Sequence, residues 1–266
     1  MTRREDKPCL VRRLDYRPPA YRIDTLDLRF ELDPDATRVT CEFGFRRDPA
    51  GAAGASGAPV PLVLDGEAQS DVTVRLDGAP LPPDRYTRDA HTLTVLAPPE
   101  AGRLTVQGTI RPAANVALEG LYVSSGVFCT QCEPEGFRRI AFFPDRPDVL
   151  ARYKVTIEAD RARYPVLLAN SNRVAAGDAG RGRHYATWED PFPKPTYLFA
   201  QVAGDLAALA DTFPTASGRK VALEIWSTPQ NLERCRHAMA SLKLAMRWDE
   251  ERYGREYDLD TFMIFC

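Results

Sequence analysis

Ten residues, Cys129–Arg138 ("CTQCEPEGFR"), hold a Cys-x-x-Cys pair, a glutamine, two glutamates and a proline. Three chemistries use such a set. Two cysteines two residues apart can supply half of a tetrahedral zinc site, whose other half needs a second Cys-x-x-Cys or a Cys/His pair. The same spacing serves a redox dithiol when a helix N-terminus lowers one thiol pKa. Alternatively the sulfurs are incidental, and a carboxylate carries the function.

The first two chemistries lack partners. Cys9, Cys41, Cys235 and Cys266 stand alone, and His91, His184 and His237 are remote from one another and outside any His-Glu-x-x-His helix. Pro134 and Gly136 follow the pair where a thioredoxin-type site requires a helix, so a lowered thiol pKa has no source. The carboxylate reading leaves two candidates, Glu133 and Glu135. In an extended segment they face the same side, so spacing alone does not choose between them.

The elements around the motif are β-like. From Tyr21 to about Gln107 apolar residues alternate: Leu26, Leu28, Phe30 and Leu32, then Val39, Cys41, Phe43 and Phe45. Val60-Leu62-Leu64, Val72-Val74-Leu76 and Leu104-Val106 follow, separated by Asp/Pro/Gly turns. Period two over short runs predicts half-buried strands in an antiparallel sandwich or saddle-shaped sheet. Asp48–Pro59, rich in Gly and Ala, predicts an exposed hairpin loop. Further strands are expected at Tyr153-Val155-Ile157, Val166–Ala169, His184-Ala186-Trp188 and Tyr197–Val202, the last entered through the prolines of "DPFPKP".

The character changes near Gly204. A strand at Val221-Leu223-Ile225 precedes the only long helix, with Thr228 as N-cap and Pro229 at its first position. Leu232, Cys235, Met239, Leu242 and Met246 give it one apolar stripe. The final run, "YDLDTFMIFC", reads as a further strand. These features predict a β domain over residues 1–204 and the incomplete beginning of a mixed α/β domain over 205–266. One helix and two strands cover too little surface to make a domain alone.

Composition excludes several classes. The net charge of −2 gives no basic footprint for nucleic acid or an anionic membrane. No apolar run approaches the roughly 18–20 residues that span a bilayer. "MTRREDKPCLVRRLDYRPP" lacks the apolar core of a secretory signal, so the six cysteines read as reduced thiols of a cytoplasmic protein.

Residues 118–150, "LEGLYVSSGVFCTQCEPEGFRRIAFFPDRPDVL", closely resemble the signature of the aminopeptidase N family of zinc metallopeptidases in its bacterial form. "NSNRV" (170–174), "DPFPKPTYLFA" (190–200) and "MRWDEERYGREYDLD" (246–260) extend the resemblance over nearly the whole chain. It implies a saddle-like N-terminal β domain followed by a thermolysin-like catalytic domain. It also implies an enzyme that removes the N-terminal residue from peptides with a free amine, using Zn2+. The family's Gly-Ala-Met-Glu-Asn segment and His-Glu-x-x-His helix are absent from these residues. The resemblance therefore implies a catalytic part elsewhere, no catalytic or metal-binding residue in this chain, and the remainder of the catalytic domain as its partner. Glu133 matches the family glutamate that binds the substrate α-ammonium, and Gln131 a residue lining the pocket for the first side chain. Cys129 and Cys132 are then packing thiols, and Arg138, Arg139, Asp145, Arg146 and Asp148 form structural ion pairs. The competing expectations are a β-sandwich binding module without activity and a thiol switch at Cys129/Cys132.

Overall fold

The computed structural model describes residues 12–51 and 60–266. Most of the expected Gly/Ala loop lies outside the described residues, as do Cys9 and most of the N-terminal segment. In chain order the strands begin with β1 (Tyr21–Glu31), β2 (Thr37–Arg47), β3 (Leu62–Asp65), β4 (Ser70–Leu76), β5 (Ala79–Pro80) and β6 (Tyr86–Arg88). Next come β7 (Thr92–Val95), β8 (Ala101–Ile110), β9 (Gly120–Ser124), β10 (Val127–Gln131), β11 (Ala151–Asp160) and β12 (Val166–Ala169). The last are β13 (Asn172–Gly180), β14 (Arg183–Lys194), β15 (Gln201–Gly204), β16 (Ala207–Pro214), β17 (Lys220–Ser227) and β18 (Thr261–Phe265). One α-helix, α1 (Arg236–Tyr253), lies between β17 and β18.

The mainly β architecture is as expected, and the described residues form four sheets. The largest has eight strands in the order β13-β14-β11-β1-β2-β8-β4-β5. A four-stranded sheet, β12-β15-β10-β9, carries the Cys129–Arg138 motif, and two three-stranded sheets, β3-β7-β6 and β16-β17-β18, complete the fold. Two pairings, β1 with β11 and β17 with β18, are parallel, so the sheets are not purely antiparallel. Both pairs join strands far apart in sequence, where the connection is long enough for a crossover.

Alternation sets which face is buried. In β2 Val39, Cys41, Phe43 and Phe45 are buried while their neighbours are not. In β1 the alternation slips between Ile23 and Leu26, where the pairing with β2 shifts register at a bulge. Phe30, Phe43, Phe128, Phe137 and Phe143 are all fully buried in a core shared by the eight-stranded and four-stranded sheets. A second cluster is separate: Phe213, Val221, Leu223 and Ile225 pack against Cys235, Met239, Leu242 and Met246 of the helical stripe.

Three local expectations change. Tyr197–Val202 is not one strand: Thr196–Leu198 is a 3-10 turn and β15 starts only at Gln201. Pro195 opens that turn, the Thr196 hydroxyl donates to Asp145 at 2.5 Å, and Asn170 holds the Ala200 N–H at 2.7 Å. Pro191 and Pro193 lie at the exit of β14, in an irregularity of the β11 pairing and past the last β13 partner, Glu189, where a missing N–H costs no ladder bond. Pro229–Cys235 is 3-10, so α1 begins seven residues later than the capping pattern suggests. Thr228 makes no side-chain cap; its hydroxyl accepts from the Asn231 amide at 2.9 Å instead.

Candidate functional site

The motif is built on a tight hairpin. Ser125 and Gly126 both have positive φ (50° and 80°), the two-residue turn that matches strand twist. It joins β9 to β10 with Gln131 opposite Gly120. Asn115 shapes the approach by donating to the carbonyls of Glu119 (2.7 Å) and Leu121 (2.9 Å). This leaves Val116 and Leu118 exposed on the loop leading to β9, whose first residue faces Gln131.

After Gln131 the chain does not stay extended. The Gly136 N–H donates to the Cys132 carbonyl at 3.0 Å, closing a turn whose tip is Glu133-Pro134-Glu135. Cys132 and Phe137, on either side of the tip, are buried, and Phe137 makes edge contacts with Phe143 and Phe199. A short 3-10 turn, Phe137–Arg139, then leads the chain back into the core. The tip is therefore exposed, but clamped at both ends.

Gly136 is the residue that lets the turn close. A Cβ there would stand 2.3 Å from the Gln131 carbonyl oxygen and 3.0 Å from the Cys132 Cα, both backbone atoms that cannot step aside. Gly136→Ala is expected to push the tip away from β10 and to destabilise the chain by about 1–3 kcal/mol, as overpacking does. Urea melts alongside the parent chain check it, and an unchanged midpoint would show that the turn has another geometry open to it.

The turn also separates the two carboxylates that an extended segment leaves equivalent. Glu135 pairs with the Arg138 guanidinium at 2.8 Å. Glu133 is exposed and makes no ion pair among the described residues; Gln131 Nε2 donates to its main-chain carbonyl at a long 3.5 Å. The structure thus brings Gln131 and Glu133 to one tip, with the Glu133 carboxylate paired to no cation among the described residues.

The ion pairs beneath the tip are now assignable. Arg138 Nε donates to Asp145 at 3.0 Å, and the Arg138 backbone N–H donates to the same oxygen at 3.2 Å. Asp145 is buried, and its own N–H donates to Asp65 at 2.9 Å. Arg139 reaches Glu119 at 3.1 Å and Glu67 at 3.4 Å, and Arg146 holds Asp148 at 2.7 Å. Neighbouring positions group these charges in the sequence, but the Thr196 hydroxyl and Asp65, which come from the 3-10 turn after β14 and from β3, are not legible there. Nor is Gly136 legible as a steric requirement, although a glycine directly after two exposed glutamates was the available signal.

The cysteines stand apart from this chemistry. Burial pushes both the Cys129 and Cys132 thiols up, and the nearby Asp145 charge adds to the shift at Cys132. That is opposite to the direction a nucleophilic dithiol needs. Among the described residues no three His, Cys, Asp or Glu side chains gather as a metal site would require. His91 lies beside Glu67, His184 against the Tyr164 carbonyl, and His237 near Ser241. These residues do not fit a zinc centre, and no metal chemistry is assigned to them.

Comparison with known proteins fits this geometry. The Peptidase M1 N-terminal domain model matches residues 82–198, which include β9, β10 and the whole tip. Aminopeptidase N of Caulobacter vibrioides is 53% identical over 98% of this chain, and that of Escherichia coli 50% identical over 97%. Residues 82–198 carry a Peptidase M1 N-terminal domain. The chain spans only 29% of the length of either relative. Legionella pneumophila aminopeptidase A, solved in complex with aspartic acid, superposes with a TM-score of 0.86 at 32% identity, covering 95% of this chain and 29% of the Legionella chain. An M1 zinc metallopeptidase from Deinococcus radiodurans shares the fold, with a TM-score of 0.73 at 16% identity over 92% of this chain and 56% of that one. No helix among the described residues is long and apolar enough to cross a membrane.

Proposed function

We propose that this chain is the N-terminal part of a zinc-dependent aminopeptidase and that its tip recognises the free α-amine of a peptide substrate. The observation that carries the reading is Glu133: an exposed carboxylate on a clamped turn, with no cationic partner among the described residues, beside Gln131. A carboxylate facing an α-ammonium makes a charge-assisted hydrogen bond and fixes the distance from the amine to the adjacent peptide bond. Gln131 lines the space for the first side chain. Glu135 is committed to Arg138 and serves the shape of the tip.

The zinc and the groups that activate water belong to the rest of the catalytic domain, which begins after residue 204 and is this chain's partner. The separate core of β16–β18 and α1 supports that boundary. We place the protein in the cytoplasm on its thiols, since all five described cysteines are free.

The test uses the full-length protein and one peptide with its N-terminus free or acetylated. Zinc-dependent release of the first residue from the free peptide, with the acetylated one inert, is expected. Equal cleavage of both would remove the amine-binding reading.

A further inference from the structure

The seam between the eight-stranded sheet and the sheet β16–β18 is thinly packed. A cavity of about 460 Å³ opens on one side, lined by Trp188, Trp226, Asn172 and Asp260 among others. A second, of about 400 Å³, opens on the other, between β12, β15 and β18. Only partly buried Trp226 and Met263 reach across to the main core from the C-terminal sheet. Among the described residues two hydrogen bonds cross this seam, and both belong to one pair. Asn172 Nδ2 donates to Asp260 Oδ2 at 3.0 Å, and the Asp260 backbone N–H returns a bond to Asn172 Oδ1 at 3.2 Å.

Both partners are held from behind. Asn170 ties the segment to the 195–200 turn through the Leu198 carbonyl (3.1 Å) and the Ala200 N–H (2.7 Å). Ser171 then takes φ of 78°, a left-handed conformation unusual for a non-glycine residue, and the bend delivers Asn172 at the first position of β13. Asp260 immediately precedes β18; its carbonyl accepts the Ala222 N–H at 2.9 Å and its other carboxylate oxygen faces Arg219 at 3.5 Å. A carboxamide that donates to a side chain and accepts from the same residue's main chain fixes direction as well as distance, which a single bond does not.

We propose that Asn172 is a positioning residue: its two-way bond with Asp260 sets the angle between the C-terminal sheet and the eight-stranded sheet, and so the reach of Glu133 to the reaction centre. The second clause rests on the amine-binding reading above. With hollow space on either side, little else resists rotation about the pair.

The experiment uses the full-length protein with two readouts, hydrogen exchange at the seam and turnover of an aminoacyl anilide. In Asn172→Ala, amides of β18 and of the start of β13 are expected to exchange at least about tenfold faster, while those of α1 and of Leu26–Phe30 keep their rates. The kcat should fall by about tenfold with KM within about twofold, since misplacement by an ångström can cost up to about 10²-fold. Asn172→Asp sets two carboxylates face to face and is expected to do at least as much. Adding Asp260→Asn reverses the donor and acceptor roles and should restore both readouts, which a merely destabilised fold would not do. Unchanged seam exchange in Asn172→Ala, faster exchange with unchanged kcat, or no recovery in the double variant would each overturn the proposal. An unchanged kcat/KM for Glu133→Gln removes the amine-binding reading instead, and the seam exchange still answers for the pair.

Discussion

Glu133→Gln in the full-length protein is expected to lower kcat/KM for a peptide with a free N-terminus by about 10²-fold, or about 2.7 kcal/mol of transition-state binding. The amide keeps the shape of the side chain and removes its charge. It also turns one of two acceptor atoms into a donor facing the donors of the ammonium group. In the chain alone this carboxylate is exposed, so the change should leave stability within about 0.5 kcal/mol. On the amine-binding proposal, its strength would come only when substrate and the rest of the enzyme cover it and water no longer screens the pair. Glu135→Gln is the internal control. That carboxylate already bonds Arg138, so its loss should reduce kcat/KM by less than about tenfold while loosening the tip. Steady-state kinetics of both variants decide the matter: equal losses at the two positions would sink the assignment, and a larger loss at 135 would reverse it.

That contrast marks where the sequence was legible. Alternation placed β1, β2, β8, β11 and β17, because burying one face of a sheet fixes the side-chain period directly. The same rule failed at Tyr197–Val202, where Thr196 and Asn170 bond to residues remote in sequence and hold a 3-10 turn inside an apolar run. The motif itself was visible as residue types, and the resemblance named Glu133. What distinguishes the surroundings of Glu133 from those of Glu135 is the turn, since the Gly136–Cys132 bond turns an extended dipeptide repeat into a tip. Asp145 shows the same limit. Its neighbours in sequence suggested ion pairing, but the strands that make it a junction, β3 and the segment after β14, lie about eighty and fifty residues away.

Asp145→Ala is expected to be the most destabilising change at this site, by about 3 kcal/mol. Its carboxylate is 3% exposed and accepts from the Arg138 guanidinium, the Arg138 backbone and the Thr196 hydroxyl. Removing one side of a buried pair costs about 3–5 kcal/mol, because the remaining charge stays out of water without compensation. Arg138 keeps Glu135 at 2.8 Å, and that partial replacement puts the loss at the lower end. Asp145→Asn retains the volume and some acceptor capacity and should cost less, while Thr196→Val, which removes one hydroxyl donor from the buried carboxylate, should cost about 1.5–2 kcal/mol. Urea unfolding with an unchanged m-value provides the ranking, and an Asp145→Ala loss below about 1 kcal/mol would show that the junction carries no such weight. The consequence reaches the tip. Arg138 released from Asp145 can follow Glu135 outward, and Phe137, whose ring packs between Phe143 and Phe199, becomes the main tether behind Glu133. Asp145→Ala should therefore also lower kcat/KM in the full-length enzyme at temperatures where the protein is still fully folded, whereas Thr196→Val should leave turnover close to that of the parent.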